Sequence, residues 1–347
     1  MQKRIWTCVP QVVIAILFVM FSGVCSFASE NENMLGADSV VRNSLLKKLG
    51  NEDDLRSLCS GLKKCLNIDF PGCSAGDKHT WPHLKYDEAY CSVYHEVVKR
   101  GFEPKPGVPM AEEVFARLGR RYRAIYENKG TLPLGENVIS YLFDNMPFTA
   151  ELINAYLGTN YSLEYTSRNR RYFNGSNGRS LSGEFYWALQ DSAGQKLGMR
   201  NLFFGYGHAK VLKWALHGTA IAFLDMDETP NKQIKYKLTA VVFPGNSVLN
   251  SIMQMNVFKS VVNDKIDHIV KDIKKASGSY FGGDKEPMLK SASLKSYENV
   301  QYVIDFENVV NGAPWKLGDF EKLQKEREKQ RLESVPIKVD DTRIEKK

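Results

Sequence analysis

The stretch of the chain that decides the fold runs from 234 to 273 and reads IKYKLTAVVFPGNSVLNSIMQMNVFKSVVNDKIDHIVKDI. Its first ten residues alternate apolar and polar side chains, which is the pattern of a strand with one buried face. Pro244-Gly245-Asn246 then ends the strand, and Asn246 suits the N-cap of a helix. Beyond it, apolar residues recur every three or four positions and predict a long amphipathic helix. That stripe consists of Val248, Ile252, Met255, Phe258, Val262, Ile266, Ile269 and Ile273.

Upstream of this stretch, alternating patterns predict a series of strands joined by short turns. One such segment begins at Tyr161, and the others are Glu184–Leu189, Met199–Tyr206, Lys210–Leu216 and Thr219–Met226. Short connections favour antiparallel neighbours, because parallel strands need long crossovers. Ahead of the strands, the apolar segment Gly135–Leu157 predicts one helix broken at Pro147 or two short helices. Near the end of the chain, Tyr302–Phe306 predicts one more short strand.

The region before these strands combines helical periodicity with cysteines. Helices are predicted over Ala37–Leu49, Asp53–Leu66, Tyr86–Val98 and Met110–Tyr126. The chain has six cysteines, and beyond the first 28 residues they are Cys59, Cys65, Cys73 and Cys91. This even number predicts two disulfides, with the pairing left open. Zinc is the competing interpretation, because histidines lie nearby, but no cysteine pair has the close spacing of a zinc knuckle.

The first residues of the chain are typical of a cleavable secretory signal. Lys3 and Arg4 precede an apolar run from Val12 to Met20, and Ser26 and Ala28 fit a signal peptidase site. We therefore expect cleavage after Ala28 and an exported protein, periplasmic or extracellular, whose compartment permits disulfides. An uncleaved membrane anchor is the alternative, but the apolar run is short for a span of roughly 20 residues.

Composition excludes several classes of function. A net charge of +7 without a clustered basic face gives no reason to expect nucleic-acid binding. The sequence contains no phosphate loop, dinucleotide fingerprint or zinc-protease motif, so no cofactor is predicted. Asp225 and Asp227 would point to the same face of a strand, but a hairpin supplies fewer oxygens than the roughly 6–8 that calcium takes. We therefore predict no metal site.

A run of antiparallel strands followed by one long amphipathic helix resembles the START-like (helix-grip) superfamily of hydrophobic-ligand binders, over about residues 132–276. In that family a curved sheet wraps the long helix and leaves an apolar cavity between the two. The resemblance rests on element order and helix length, and it brings no catalytic residues. It implies an α+β fold in which an antiparallel sheet grips a long C-terminal helix, preceded here by the disulfide-stapled helical region.

These patterns together predict four parts of the chain and a set of ligand contacts. The parts are a signal peptide at 1–28, a helical disulfide-bonded region at 29–130, a START-like unit at 131–283, and a charged, partly disordered extension at 284–347. Residues predicted to contact a ligand are Phe185, Trp187, Phe204, Tyr206, His208, Trp214, Met255 and Phe258. Ordinary core packing is the competing interpretation, because aromatic residues are enriched in all strands.

The function expected from this fold is the binding or carriage of a hydrophobic small molecule, such as a lipid, with transient membrane-surface contact. One rival is an enzyme that uses the same cavity, with His208 or His217 as a base. The other is a structural or partner-binding envelope protein whose cavity is filled by its own side chains. A cavity separates the carrier and the enzyme from the structural protein, and a histidine paired with a carboxylate inside that cavity separates the enzyme from the carrier.

Overall fold

A computed structural model describes residues 37–73, 88–118, 123–167, 169–190, 199–211, 214–245 and 256–316, with 318, 319 and some positions from 322 to 329. The expected signal peptide therefore lies outside the described residues. Within them, seven strands form one antiparallel sheet, and helices lie on both of its faces. The predicted α+β class is confirmed. Among the described helices, none combines the length and the apolar character that a membrane span requires.

Most strands of the sheet pair with their neighbours in sequence, and one further pairing joins the first strand to the last. Its strands are β1 (Ala124–Leu132), β2 (Ser162–Tyr165), β3 (Tyr172–Ser176), β4 (Leu181–Leu189), β5 (Met199–Val211), β6 (Trp214–Glu228) and β7 (Ile234–Pro244). Their order in space is β1-β7-β6-β5-β4-β3-β2. Every pairing is antiparallel, as the short connections predict.

Nine described helices surround this sheet. Four precede it: α1 (Ala37–Leu49), α2 (Glu52–Leu66), α3 (Glu88–Lys99) and α4 (Ala111–Leu118). Two lie between β1 and β2, namely α5 (Glu136–Asp144) and α6 (Met146–Leu157), which meet just before Pro147 as predicted. Three follow the sheet: the long α7 (Asn256–Phe281), α8 (Glu286–Lys290) and α9 (Tyr297–Val310).

Alternation along the strands sends side chains into two separate cores. The inner face of the sheet packs with α5, α6, α7 and α9, and its cluster includes Phe185, Trp187 and Leu238. The outer face packs with α1 to α4, and its cluster includes Phe204 and Val241. Apolar side chains on both faces of one strand therefore have partners on both sides, which explains the unbroken apolar run from Phe185 to Leu189 in β4.

The long helix grips the inner face, as the sequence predicts. Ile269 of the apolar stripe is fully buried and Ile273 is half-buried, while Lys271 is exposed. Val270, which is not part of the stripe, is also buried. The predicted start of this helix, from Val248 to Met255, lies outside the described residues, and so do the side chains of Val262 and Ile266.

Two disulfides connect the helical region, here called the front (residues 37–118). Cys59 in α2 is bonded to Cys73, and Cys65 in α2 is bonded to Cys91 in α3. The prediction of two disulfides is confirmed, and the zinc alternative is wrong, because the thiolates that zinc would need are consumed by the bonds. Persistent disulfides indicate an oxidising compartment.

Three local predictions differ from the structure. Residues from Ala124 onward belong to β1 rather than to a helix ending at Tyr126, because this segment pairs along its whole length with β7. Lys210–Leu216 is not a separate strand, since it spans the end of β5 and the start of β6. Tyr302–Phe306 is helical within α9, where Phe306 and Val309 turn the same face into the core.

Neighbouring glutamates at the start of α4 should respond oppositely to the same substitution. Glu112 is buried, and its carboxylate binds Lys48 at 2.8 Å and the Gly107 amide at 2.7 Å. Oε2 of Glu113 is buried without a hydrogen-bond partner among the described residues. Burial raises the pKa of Glu113 above its ordinary 4.5, and the charge of Glu112 adds to this while Lys48 opposes it.

We expect Glu113→Gln to stabilise the fold at pH 7, because it removes a buried charge that lacks a hydrogen-bond partner on Oε2 among the described residues. The raised pKa means that the folded state holds the proton of Glu113 more tightly than the unfolded state does. The wild-type protein therefore loses stability as the pH rises from the pKa of Glu113 in the unfolded state through its pKa in the folded state. The gain should therefore vanish below about pH 4. Glu112→Gln, which loses the Lys48 ion pair, should instead destabilise the fold. Urea unfolding at pH 4 and pH 7 checks both, and a loss of stability in Glu113→Gln at pH 7 contradicts this interpretation.

Candidate functional site

An apolar pocket lies beside the inner face of the sheet, between the α5–α6 pair and the C-terminal half of α7. Its volume is about 120 Å³. The residues that line it are Leu134, Ile139, Leu142, Phe143, Met146, Thr149, Leu152, Ile153, Tyr156, Leu163, Ile273, Ala276, Ser277, Tyr280, Phe281 and Phe306. Apart from Leu134, which lies between β1 and α5, these side chains come from β2, α5, α6, α7 and α9, so the pocket is formed where these five elements pack together.

Helical spacing places these side chains. On α7, Ile273, Ala276 and Tyr280 follow one another at intervals of three and four and form one wall. On α6, Thr149, Ile153 and Tyr156 repeat the same spacing on the facing wall. Pro147 at the first turn of α6 fixes the corner between α5 and α6, because proline lacks the amide hydrogen that an interior position would need.

Each polar group in the pocket wall is already engaged within the protein. Thr149 Oγ1 donates to the carbonyl of Leu142 at 2.7 Å, and Ser277 Oγ donates to the carbonyl of Ile273 at 2.6 Å. Tyr156 donates its hydroxyl to the carbonyl of Asp284 at 2.8 Å, and Tyr280 donates to Glu307. The pocket therefore offers a ligand an apolar surface, with no unsatisfied hydrogen-bonding group shown in its wall.

Both tyrosines in the wall stay neutral. Burial, with the charges of Asp284 and Glu307, raises the pKa of Tyr156 to about 12. Burial and the hydrogen bond to the Glu307 carboxylate also raise the pKa of Tyr280. The lining, as far as the structure describes it, contains no acidic or basic side chain, so the pocket remains uncharged across the physiological pH range.

The structure separates the predicted ligand contacts from this pocket. Phe185 stacks on Phe173 at 5.4 Å, and Trp187 stacks on Phe203 at 5.3 Å, both within the inner core. Phe204 lies on the outer face against Phe102 and Phe115 of the front. Among the predicted contacts whose side chains are described, none lines the pocket. Trp187 packs against the pocket wall from behind, because its ring centroid lies 5.5 Å from that of Phe143, which lines the pocket.

The remaining predicted contacts lie elsewhere or outside the described part. Tyr206 and His208 are half-buried on β5. Met255 lies outside the described residues, and the side chains of Trp214 and Phe258 do as well. The residues that sequence reasoning missed are those of α5 and α6. Their signal was an excess of apolar residues around both helices, more than one buried face needs.

The two histidines proposed as bases form a pair on β5 and β6. Their rings are 5.7 Å apart, and the hydroxyl of Ser182 lies 3.2 Å from Nε2 of His208. Neither histidine lines the apolar pocket. An enzyme was expected to have a histidine paired with a carboxylate inside the cavity, and the described lining contains neither side chain.

The acidic pair on β6 is occupied by arginines. Arg100, at the end of α3, binds Asp225 through both of its terminal nitrogens at 2.5 and 2.9 Å. Arg200 binds Asp227 at 3.0 Å. Asp225 therefore joins the front to the sheet through Arg100, whose guanidinium also lies over the ring of Phe223 at 4.8 Å. Arg200 and Asp227 both belong to the sheet.

Comparisons with known proteins find only weak structural similarity. No protein-family model matches the chain, and no curated protein matches it. A hypothetical protein jhp0584 from Helicobacter pylori is similar at a TM-score of 0.31 and 10% identity, covering 44% of this chain and 87% of that one. The structure of Ara h 8.0201 is similar at a TM-score of 0.31 and 11% identity, covering 47% and 100%. A conserved protein from Geobacillus kaustophilus is similar at a TM-score of 0.28 and 16% identity, covering 44% and 95%. Likeness at this level carries no argument about function.

Proposed function

We propose that this protein binds the hydrocarbon part of a small hydrophobic or amphiphilic molecule in the pocket between α5–α6 and α7. The observation that carries the proposal is a pocket wall made of apolar side chains whose few polar atoms are bonded within the protein. Removing hydrocarbon from water into such a site is favourable in proportion to the area buried. Binding rather than catalysis is the activity that an uncharged lining supports.

The volume of the pocket limits what fits. Ligand pockets for whole drug-sized molecules span roughly 300–1,000 Å³, and a dry cavity of about 150 Å³ holds one benzene ring. At about 120 Å³, this pocket suits the end of one alkyl chain or a single ring. We therefore propose a ligand whose apolar end enters the pocket while its polar end stays in water. A single-chain lipid has this form.

The compartment completes the proposal. Two disulfides in the front support export to an oxidising environment, and we propose signal cleavage after Ala28. In an oxidising compartment outside the cytoplasm, the protein would act as a carrier that shields an alkyl chain from water. It would take up this ligand during transient contact with a membrane surface. Amino-terminal sequencing of the exported protein tests the cleavage, and a retained Met1 contradicts it.

Filling the pocket should abolish binding without harming the fold. Ala276 is buried in the α7 wall, and Ala276→Leu places extra methyl groups into the empty volume. We expect the affinity for cis-parinaric acid, a fluorescent straight-chain fatty acid, to fall at least about tenfold, or 1.4 kcal/mol. Titration of the fluorescence measures this, with the melting temperature expected to be unchanged or higher.

The neighbouring variant Lys275→Leu is the matched control. It adds the same side chain to the same helix at an exposed position, and it should leave the affinity unchanged. If the wild-type protein does not bind the fatty acid, the proposed function fails. If Ala276→Leu binds it as well as the wild type does, the ligand occupies another site.

A further inference from the structure

Two histidines lie side by side on the outer face of the sheet, near the end of β5 and the start of β6. His208 and His217 occupy directly opposite positions in this antiparallel pair, and their ring centroids are 5.7 Å apart. Along β6, His217 shares its face with Ile221 and Phe223, which belong to the outer cluster. The pair therefore lies on the other side of the sheet from the apolar pocket.

Hydroxyl groups flank this pair of histidines. Ser182 of β4 lies opposite His208, and its hydroxyl oxygen is 3.2 Å from Nε2 and 3.4 Å from Nδ1 of that ring. Thr219 follows His217 by two residues, so both side chains point to the same face of β6. Three neighbouring strands thus place two imidazoles and two hydroxyls on one area of the outer face. We call Ser182, His208, His217 and Thr219 the histidine patch.

Two atoms of the histidine patch are buried without a hydrogen-bond partner among the described residues. They are Nδ1 of His217 and Oγ1 of Thr219, and the whole Thr219 side chain is buried. Most buried polar atoms in native proteins have a partner, and an exception calls for one, such as a water or an ion. Two such atoms on one face of one strand therefore indicate that the histidine patch binds more than its own side chains.

The histidine patch has the donors of a transition-metal site. A metal ion lies about 2.0–2.1 Å from each imidazole nitrogen that it binds, so two histidines share one ion only when their rings are close neighbours. Directly opposite residues of an antiparallel pair have Cβ atoms about 4.5–5.5 Å apart, and this supplies the closeness on a rigid element. Neutral imidazole suits copper, nickel and zinc ions, and Cu²⁺ generally binds most tightly among them.

We propose that His208 and His217 bind one divalent transition-metal ion, with Cu²⁺ held more tightly than Zn²⁺. Nδ1 of His217 is the ligand from β6, and a ring nitrogen of His208 is the ligand from β5. In the part of the chain that the structure describes, no third histidine, cysteine or carboxylate joins them, so water completes the coordination. Oγ1 of Thr219 accepts a hydrogen bond from such a water, and the Ser182 hydroxyl orients the His208 ring.

This metal site is independent of the proposed function, because neither histidine lines the apolar pocket. It also differs from the expectation that the sequence gives, which is that no metal site is present. His208 and His217 belong to no metal-ligand motif of the sequence, and only the pairing of β5 with β6 brings their rings together.

Calorimetric titration of the tag-free protein with CuCl₂ and with ZnCl₂ tests the site. We expect one ion per chain and a lower dissociation constant for Cu²⁺. Loss of a hydrogen-bonding partner of a metal ligand weakens metal binding roughly 10–100-fold, and loss of the ligand itself should cost no less. His208→Asn and His217→Asn should therefore each weaken Cu²⁺ binding at least about tenfold, and Ser182→Ala about tenfold.

His95→Asn is the matched control, because His95 is an exposed histidine of the front whose Nε2 lies 2.9 Å from the Cys65 carbonyl oxygen. It should leave the affinity for Cu²⁺ unchanged. Electron paramagnetic resonance of the Cu²⁺-loaded protein should show two coordinated imidazoles in the wild type and one in either His208→Asn or His217→Asn. Circular dichroism verifies that each variant is folded.

Thermal unfolding provides a second measurement, because an ion that binds only the folded state raises the unfolding temperature. Cu²⁺ should raise it in the wild type and in His95→Asn, but not in the double variant His208→Asn/His217→Asn. If the wild type binds neither ion, the site is overturned. If both single variants bind Cu²⁺ as tightly as the wild type, or if His95→Asn weakens binding as much as they do, the ion is adventitious and the site is again overturned.

Discussion

Reduction of the two disulfides is expected to unfold the front and to expose the outer face of the sheet. Each bridge should contribute about 2–5 kcal/mol, because it restricts the unfolded chain. Cys65–Cys91 closes a sequence separation of 26, compared with 14 for Cys59–Cys73, so its loss should cost slightly more. Urea unfolding of the protein with and without reductant measures the sum, and paired Cys→Ser variants measure each bridge.

Reduction of the disulfides should also affect the sheet that the front covers. The front covers Leu202, Phe204 and Phe243, which are fully buried on the outer face. Without this cover the sheet presents a large apolar surface to water, and such surfaces promote association. We expect the reduced protein to aggregate on warming. A variant with all four cysteines replaced by serine is the control, since reductant should not change it. Identical unfolding of the wild type with and without reductant contradicts the prediction.

Secondary structure could be predicted from the sequence where one hydrophobic periodicity continues over many residues. Alternation from Ile234 to Val242 and the apolar stripe that includes Ile269 and Ile273 predict β7 and the long helix, and both elements are present. Such patterns report which side of an element is buried, and this is decided locally. The even number of cysteines likewise predicts two bridges, but not their pairing.

Elements whose conformation depends on a distant partner were not predicted. β1 alternates only weakly, and it is a strand because it pairs with β7, more than a hundred residues later in the chain. Val303 and Ile304 favour strands locally, but Phe306 and Val309 are buried when α9 is helical. In both cases tertiary packing outweighs local preference.

Among the predicted ligand contacts whose side chains are described, none lines the pocket, and the reason again lies in packing between elements. Aromatic residues of the strands were expected to border a cavity, and Phe185 and Trp187 instead stack on partners across neighbouring strands. Whether aromatic side chains fill each other's space depends on which residues of neighbouring strands lie opposite one another, and the alternation within one strand does not report this. The space that stays empty lies between the α5–α6 pair and α7, beside Ile153 and Ala276.

Asp225 and Asp227, two residues apart on β6, are expected to differ sharply in their contribution to stability. Asp225 receives both terminal nitrogens of Arg100, whose side chain is only 8% exposed. Asp225→Ala therefore leaves a buried guanidinium with Glu96 as its remaining carboxylate partner among the described residues. We expect a loss of about 3 kcal/mol, at the lower end of the range for breaking a buried ion pair. Urea unfolding at neutral pH measures it.

Asp227→Ala is the matched control, because the Asp227 side chain is 51% exposed and its bond to Arg200 is a surface ion pair. Such pairs contribute about 0–1 kcal/mol. The double variant Arg100→Met/Asp225→Ala should recover most of the loss, since it removes the buried charge and leaves an apolar chain over Phe223. Recovery in the double variant would show that the cost comes from an unpaired charge between front and sheet. Equal losses in the two single variants would mean that Arg100 does not hold the front against β6.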